Sequence, residues 1–447
     1  MHPVRPRRAL AWVAGALAPV LVLAGLLAAP AASAAGGTAP GDLTGYAFDA
    51  RCAPTQEQMD AWLTASPFWG VGIYLGGSTM SCRATATDPG QPHLDAAWVQ
   101  RQTAQGWRLL PVWVGPQASC HPLYADRIDP TPDASYAAAD ARGRSEAAAA
   151  VARARALGVA AGSTLWYDLE GGFDLADVDC RRSALRFLSG WTLALHDLGY
   201  RSGVYSSVSA GIHALDNADN LSPGSYAMPD QVWYAWYNGR ADAEVDPAWV
   251  RGESWAGDRV HQYAAQEAAT YGGVTLGIDR NFLEVGGGSV APRAARHCRG
   301  TRLDFGVYRT ERRGDRGARV RALQCLLKKH ARYSGRLDGR FDRDVVRSLR
   351  TFQRRHDLRV TGRATGQAWV ALLSRGGTPL LKVGSAEESV RRLQRALAAA
   401  TARRVRVTGV FTDATAAAVR DYQGGAGLAA TGVVAAETWQ ALLRGRR

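Results

Sequence analysis

From residue 35 to residue 290 the chain contains no lysine. The same stretch holds 17 arginines against 28 acids, a net charge of −11, whereas residues 291–447 hold 34 basic and 12 acidic side chains, net +22. The overall charge of +14 therefore hides an acidic body and a basic tail. Metal-binding patterns are also missing. None of the six cysteines forms a CxxC pair and no histidines stand in HExxH spacing, so neither a metal nor a cofactor is expected. Beyond the first 34 residues no apolar run approaches the roughly 20 residues that span a bilayer, so a soluble mature chain without a membrane span is expected.

The first 34 residues read as an export signal. Arg5, Arg7 and Arg8 precede the apolar stretch from Ala9 to Pro30, and Ala32-Ser33-Ala34 is a small-residue cleavage site. Arg7-Arg8 suggests the twin-arginine route, but Pro6 and Ala9 fit that signal poorly, so general export and twin-arginine export both stay open. Outside the cell a basic tail meets anionic wall polymers rather than nucleic acid; the plainer alternative is a solvated arginine-rich surface. An oxidising compartment turns Cys52, Cys82, Cys120, Cys180, Cys298 and Cys325 into three expected disulfides.

Residues 42–285 alternate short strand-like runs with amphipathic or alanine-rich stretches. Eight strands are expected: 44–48, 70–75, 108–113, 164–169, 203–205, 232–235, 259–263 and 274–278. The helical stretches are 55–65, opened by the capping box Thr55-x-x-Gln58, then 94–105, 145–157 and 180–198. Eight β/α units in about 250 residues is the size of a (β/α)8 barrel of the TIM type, an α/β fold. Helices after strands five to seven are poorly marked. Gly286-Gly287-Gly288 and Pro292 mark a linker, placed at 286–300.

Beyond the linker the tail repeats itself at a shift of 70 residues without a gap. Leu323-Gln324 falls on Leu393-Gln394, Gly339 and Phe341 on Gly409 and Phe411, Phe352-Gln353 on Tyr422-Gln423, and Trp369 on Trp439. Val320, Leu323 and Leu327, like Val390, Leu393 and Leu397, recur at helical spacing and form one buried stripe. Two small all-α, three-helix domains are expected, at 301–376 and 377–447. Cys325 matches Arg395 and Cys298 matches Ala368, so Cys298 with Cys325 is expected to be private to the first repeat. Cys52 and Cys82 follow strands one and two, and Cys120 and Cys180 follow strands three and four, which suggests those two pairings at one barrel mouth.

Working residues of such a barrel sit at the C-terminal ends of its strands. Strand four ends Tyr167-Asp168-Leu169-Glu170, and residues at i and i+2 of a strand face one side, so Asp168 and Glu170 point together. Asp49 ends strand one, Tyr205 strand five, Trp236 and Tyr237 strand six, and Asp279 strand eight, followed by Asn281; Gln262 and Tyr263 lie on strand seven. Acids among aromatics describe a sugar site, because sugar ring faces stack on Trp and Tyr and glycosidic cleavage uses a proton donor and a second carboxylate. The structural alternative is that Asp168 and Glu170 cap helices or pair with arginines at the mouth.

The strand-end motifs G-x-x-x-D at Asp49, D-x-E at Asp168 and Glu170, Q-Y at Gln262 and Tyr263, and G-x-D-x-N at Asp279 and Asn281 resemble those of family 25 glycoside hydrolases, lysozymes that cut peptidoglycan. Residues 42–285 resemble more closely an actinobacterial secreted glycoside-hydrolase-like barrel of unassigned function. The resemblance implies Glu170 as general acid, with Asp168, Asp49 and Asp279 orienting substrate and stabilising positive charge, and Tyr205, Trp236, Tyr237, Gln262, Tyr263 and Asn281 binding sugar. Ala50-Arg51-Cys52-Ala53-Pro54 and the long loop from Gly115 to Pro132 depart from the lysozyme pattern. Each tail repeat resembles the helical peptidoglycan-binding domain of wall hydrolases, with Asp338, Arg340 and Arg354 as candidate wall contacts. Two such modules would raise avidity by roughly 10² to 10⁴ if both engaged.

The expected protein is thus a secreted, wall-associated monomer that hydrolyses a β-linked amino-sugar glycan in muramidase fashion, with peptidoglycan or another wall glycan as partner. The rival is a non-catalytic wall-binding protein with a glycosidase-like barrel. A third possibility is action on another wall polysaccharide such as arabinogalactan.

Overall fold

The computed structural model describes residues 38–82, 90–298, 300–401 and 404–447. The export signal expected at 1–34 lies outside the described residues. Strands β1 (Leu43–Asp49), β2 (Gly70–Gly76), β3 (Arg108–Trp113), β4 (Thr164–Asp168), β5 (Arg201–Ser207), β6 (Gln231–Ala235), β7 (Arg259–Tyr271) and β8 (Val274–Val285) close into one barrel in sequence order. Helices α1 (Gln56–Ala65), α2 (Ala96–Gln105), α3 (Ala137–Ala156), α4 (Val178–Asp197) and α5 (His213–Leu221) follow β1 to β5 in turn. The capping box opens α1 as its sequence dictates: the Gln58 amide donates to Thr55 Oγ1 at 3.2 Å, and the Thr55 amide donates to Gln58 Oε1 at 2.8 Å.

The last quarter of the barrel departs from strict β/α alternation. Strands β1 to β7 pair in parallel, but β8 returns antiparallel from β7 and pairs antiparallel with β1, Asp49 opposite Asp279. A hairpin tip at Gly272-Gly273 replaces the last crossover helix. It folds down onto α1, where Tyr271 packs edge-on against Trp62 at 5.0 Å and the Trp62 indole donates to Val274 O at 3.1 Å.

Alternation along the strands fills the barrel with Leu43, Ala47, Leu110, Val112, Trp166, Trp233, Val260, Leu283 and Val285. Gly203 makes room for the Trp166 indole, since a Cβ there would lie 2.4 Å from the ring. Helix α3 begins eight residues earlier than its alanine run suggests. Its buried face is Ala139, Gly143, Ala147 and Ala150, small residues that let it lie directly on α4. A Cβ at Gly143 would sit 2.1 Å from Phe187 O.

The tail forms α6 (Ala318–His330), α7 (Arg343–Arg355) and α8 (Gly366–Leu373), then α9 (Glu388–Thr401), α10 (Asp413–Gly425) and α11 (Ala436–Leu443). The repeated glutamines are buried clasps. Gln324, Gln353, Gln394 and Gln423 each accept from the amide of a turn glycine, Gly339, Gly362, Gly409 and Gly432, at 2.8–3.0 Å. The side-chain amide of each donates to the carbonyl of the next residue, at 2.8–3.0 Å, so each glutamine fixes a turn from within the core.

Spatial order inverts sequence order. The second repeat, not the first, sits on the barrel floor formed by the N-terminal strand ends. The Lys382 ammonium donates to Leu63 O at 2.9 Å and lies 4.4 Å from the Trp69 ring centre and 4.9 Å from that of Trp107, aromatics that immediately precede β2 and β3. Ser289 Oγ donates to Gly384 O, and the segment beyond it runs along α9. There Pro292 O accepts from Arg391 at 2.7 Å, and His297 and the Ala295 amide meet Glu388. The expected linker is therefore a packed strap. Disulfides join Cys52 to Cys82, Cys120 to Cys180 and Cys298 to Cys325.

Candidate active site

Inward-facing positions at the mouth end of the strands converge on a carboxylate cluster. Asp49 on β1 is buried and takes hydrogen bonds from Tyr74 Oη at 2.9 Å, Asn281 Nδ2 at 2.7 Å and Gln262 Nε2 at 3.5 Å. The Trp233 indole donates to Asn281 Oδ1 at 2.8 Å, which turns the Asn281 amide nitrogen toward Asp49. Gln262 is a hub. Its carbonyl accepts from Tyr205 at 2.8 Å and Tyr237 at 3.1 Å, and its amide also reaches Asp279 Oδ2 at 3.1 Å.

Asp168 ends β4 and is buried, with Oδ1 lacking any hydrogen-bond partner among the described residues. Glu170 stands two residues further, half-buried at the mouth, and its backbone amide donates to Gln117 Oε1 at 2.8 Å. The Gln117 amide in turn donates to Asp168 O at 2.9 Å and Gly115 O at 3.0 Å. The long loop that departs from the lysozyme pattern thus grips the end of β4 at Asp168 and the segment just beyond it that carries Glu170. It is pinned again where His121 Nε2 meets Gly171 O at 2.7 Å, and by the Cys120–Cys180 disulfide.

Charge and burial act in one direction on all four acids. Burial and the neighbouring Asp279 push the Asp49 carboxyl from 3.8 to about 7, against the opposing hydrogen bonds from Asn281, Tyr74 and Gln262. Burial, then Glu170 and Asp49, raise Asp168 well above the carboxylate range. Burial and Asp279 raise Glu170, and burial raises Asp279 against the Gln266 amide that donates to it. Among the described residues no arginine or lysine pairs with any of the four, so the alternative of guanidinium-locked acids does not hold. All four therefore hold a proton more tightly than a free carboxyl does.

Several expectations change with the geometry. Asp279 does not end a parallel strand; it lies within β8, which runs on to Val285, and reaches the mouth because β8 is antiparallel. Tyr263 and Trp236 are not in the mouth. Both pack instead around the buried His261, whose ring centre lies 6.2 Å from that of Tyr263 and 5.9 Å from that of Trp236. Tyr205 and Tyr237 do meet the cluster through Gln262, and Tyr237 is 61% exposed. Tyr74, Trp233, Gln117 and Tyr124 are additions; burial, then the charges of Glu170 and Asp168, raise the Tyr124 hydroxyl to about 12. In the tail, Asp338 is a turn residue: its Oδ1 accepts from Gln324 Nε2 and the Arg340 amide, each at 2.9 Å. Arg340 and Arg354 are exposed. No group of three or more His, Cys, Asp or Glu side chains among the described residues is arranged to hold a metal ion.

A closed barrel whose mouth gathers carboxylates and a tyrosine rim, with two clasped helical repeats, is the architecture of a glycoside-hydrolase-like wall protein. Residues 60–283 match the family model of the Rv2525c-like, glycoside hydrolase-like domain, and residues 316–372 and 386–442 each match that of the peptidoglycan binding domain. The chain belongs to the Rv2525c-like glycoside-hydrolase-like family and carries two peptidoglycan-binding repeats. No curated protein matches it. Among solved structures it is similar to an uncharacterized B. stearothermophilus protein at 18% identity and TM-score 0.36, covering 53% of this chain and 94% of that one. It is also similar to the modular autolysin LytC from Streptococcus pneumoniae at 12% identity and TM-score 0.31, covering 53% of this chain and 46% of that one. A third is GHIP, a glycosyl hydrolase 25 of Streptococcus pneumoniae, at 13% identity and TM-score 0.31, covering 54% and 86%. The repeats and three disulfides fit a wall-associated protein outside the reducing cytoplasm. No described helix is long and apolar enough to cross a membrane.

Proposed function

We propose that the protein is a secreted cell-wall glycoside hydrolase that cuts peptidoglycan glycan strands in muramidase fashion, held on the wall by its tail. The observation that carries this reading is the unpaired, proton-holding carboxylate cluster beneath an aromatic rim. Glu170 is the general acid. It is the half-buried member next to Asp168, so it combines a raised proton affinity with access to a bound glycan. Its proton passes to the glycosidic oxygen as the bond to the anomeric carbon breaks; water adds to that carbon, and the water's second proton restores the carboxyl.

Asp49, held by Tyr74 and Asn281, and Asp279, held by Gln262 and the Gln266 amide, face the developing positive charge. That charge favours their anionic forms, so they stabilise the transition state more than the ground state. Tyr237 and Tyr205 line the sugar path. The test is release of reducing ends from purified wall by the native protein and by Glu170→Gln. Native release with loss of at least about 100-fold in the variant is expected for removal of a general acid. Equal release from both removes Glu170 from the role, and no release from either leaves the binding protein.

A further inference from the structure

The two repeats share a groove in sequence but not in surroundings. In the first repeat it is open, about 650 Å³, and lined by arginine. Helix α7 presents Arg343, Arg347, Arg350 and Arg354 at spacings of four, three and four residues, one continuous face. Arg312 and Arg313 approach from the preceding loop and Arg363 from the turn that Gln353 clasps, and all seven side chains are exposed. No acid lines the groove among the described residues; Arg347 pairs with Asp344 at 3.2 Å, and none of the other six forms an ion pair.

The 70-residue shift carries Arg343, Arg347, Arg350 and Arg354 onto Asp413, Ala417, Arg420 and Gly424, and Arg312 onto Lys382. Four arginines on the helix become one. The corresponding space, about 150 Å³, is lined by Lys382, Asp413, Arg420 and Gly432 together with Tyr46 and Pro67 of the barrel. Tyr46 Oη donates to Asp413 at 2.8 Å, and Lys382 is drawn away into the barrel floor. The second groove holds barrel side chains where the first is open.

We propose that the arginine groove of the first repeat is the anchor of the chain and takes a wall polymer with closely spaced phosphodiesters, while the second repeat is an adaptor that joins this anchor to the barrel. The proposal rests on the wall-associated reading above and adds the ligand chemistry and the repeat that binds it. Guanidinium forks pair with phosphate oxygens two at a time. Seven of them in one groove match a ligand with several fixed negative charges within a short length, a density that phosphodiesters along a polymer supply and a neutral sugar chain does not.

The test uses the full chain in pelleting assays on purified wall, intact or stripped of phosphodiester-linked polymer with cold hydrofluoric acid. Wild type is expected to bind intact wall at least about tenfold more tightly than stripped wall, with affinity falling as salt rises. The triple change Arg343→Gln, Arg350→Gln, Arg354→Gln is expected to lose about tenfold on intact wall. Removing three exposed arginines outside the groove, Arg359→Gln, Arg406→Gln, Arg444→Gln, and changing Arg420→Gln in the filled groove are each expected to shift binding less than about twofold. Equal binding to stripped wall overturns the phosphodiester assignment in favour of murein itself. Equal loss in the outside triple overturns the groove in favour of net charge, and equal loss in Arg420→Gln overturns the adaptor role. Turnover of soluble glycan fragments, unchanged in the groove variant, verifies its fold and separates failure of the anchor from failure of the hydrolase reading.

Discussion

The Asp49 carboxyl offers a quantitative test of the cluster through pH-dependent stability. Folding raises it from 3.8 to about 7, so between those values the native state holds a proton that the unfolded chain has released. The group's contribution is fully present below about pH 4 and is lost as pH rises through 7, at about 1.4 kcal/mol per pH unit and about 4 kcal/mol in all. Asn at position 49 keeps the shape, can still accept from Asn281 and Gln262, and cannot titrate. Comparing wild type with Asp49→Asn across pH cancels the fixed cost of the altered hydrogen bonds and leaves the linkage. Urea melts followed by barrel tryptophan fluorescence at pH 4, 6 and 8 are expected to show the variant gaining about 3–4 kcal/mol relative to wild type from pH 4 to pH 8. Stability curves that stay parallel within about 1 kcal/mol would mean that Asp49 is ionised throughout, and the proton-holding cluster would be refuted.

The other perturbations read out different parts of the frame. Gln117→Ala leaves the Glu170 amide and Asp168 carbonyl without their partner; a loss of about 1–3 kcal/mol in stability and a fall in kcat larger than any rise in KM are expected, measured by melts and reducing-end kinetics. Gly203→Ala drives a methyl into the Trp166 indole and is expected to cost about 1–3 kcal/mol in a urea melt. Burial lowers the Lys382 ammonium well below 10.5, so the native state sheds its proton first and docking of the second repeat gains stability as pH rises toward 10.5. Protection factors in β1 and α9, that is exchange rates corrected for the base-catalysed rise of intrinsic exchange, are expected to increase over that range in wild type and to stay flat in Lys382→Met.

The barrel was readable because its strands announce themselves as short apolar runs, with those of strands one, four and eight stopping on acids, and the tail because its glutamine and tryptophan core positions recur at one fixed shift. The direction of β8 was not carried by that pattern, since inward alternation looks the same whichever way a strand runs. The available signal was Gly272-Gly273 between Tyr271 and Val274, both glycines at positive φ, the two-residue turn of a hairpin. Parity also had more to give. Tyr74 is in phase with Gly72 and points inward to Asp49, whereas a break in the β7 register between Gln262 and Ala264 interrupts the alternation that would place Tyr263. Gln117 sits in an irregular loop with no period, so its clasp on β4 exists only in three dimensions.

Inversion of spatial order changes what a two-repeat tail can do. Independent modules on a flexible tether multiply affinity through effective concentration, which requires both grooves to be open and the tether to be loose. Neither condition is met: Tyr46 and Pro67 narrow the second groove to about 150 Å³, and the strap from Ser289 through His297 is bonded along α9. A single open groove on a docked support trades avidity for position. The second repeat rests on the strand N-termini, while the acids open at the opposite end of the barrel. Anchoring through the first repeat would therefore present the mouth at a set distance and orientation from the attachment point, limiting which glycan bonds it can reach. Lengthening the strap after Pro292 would leave that geometry unchanged, whereas undocking the second repeat from Trp69 and Trp107 would release it.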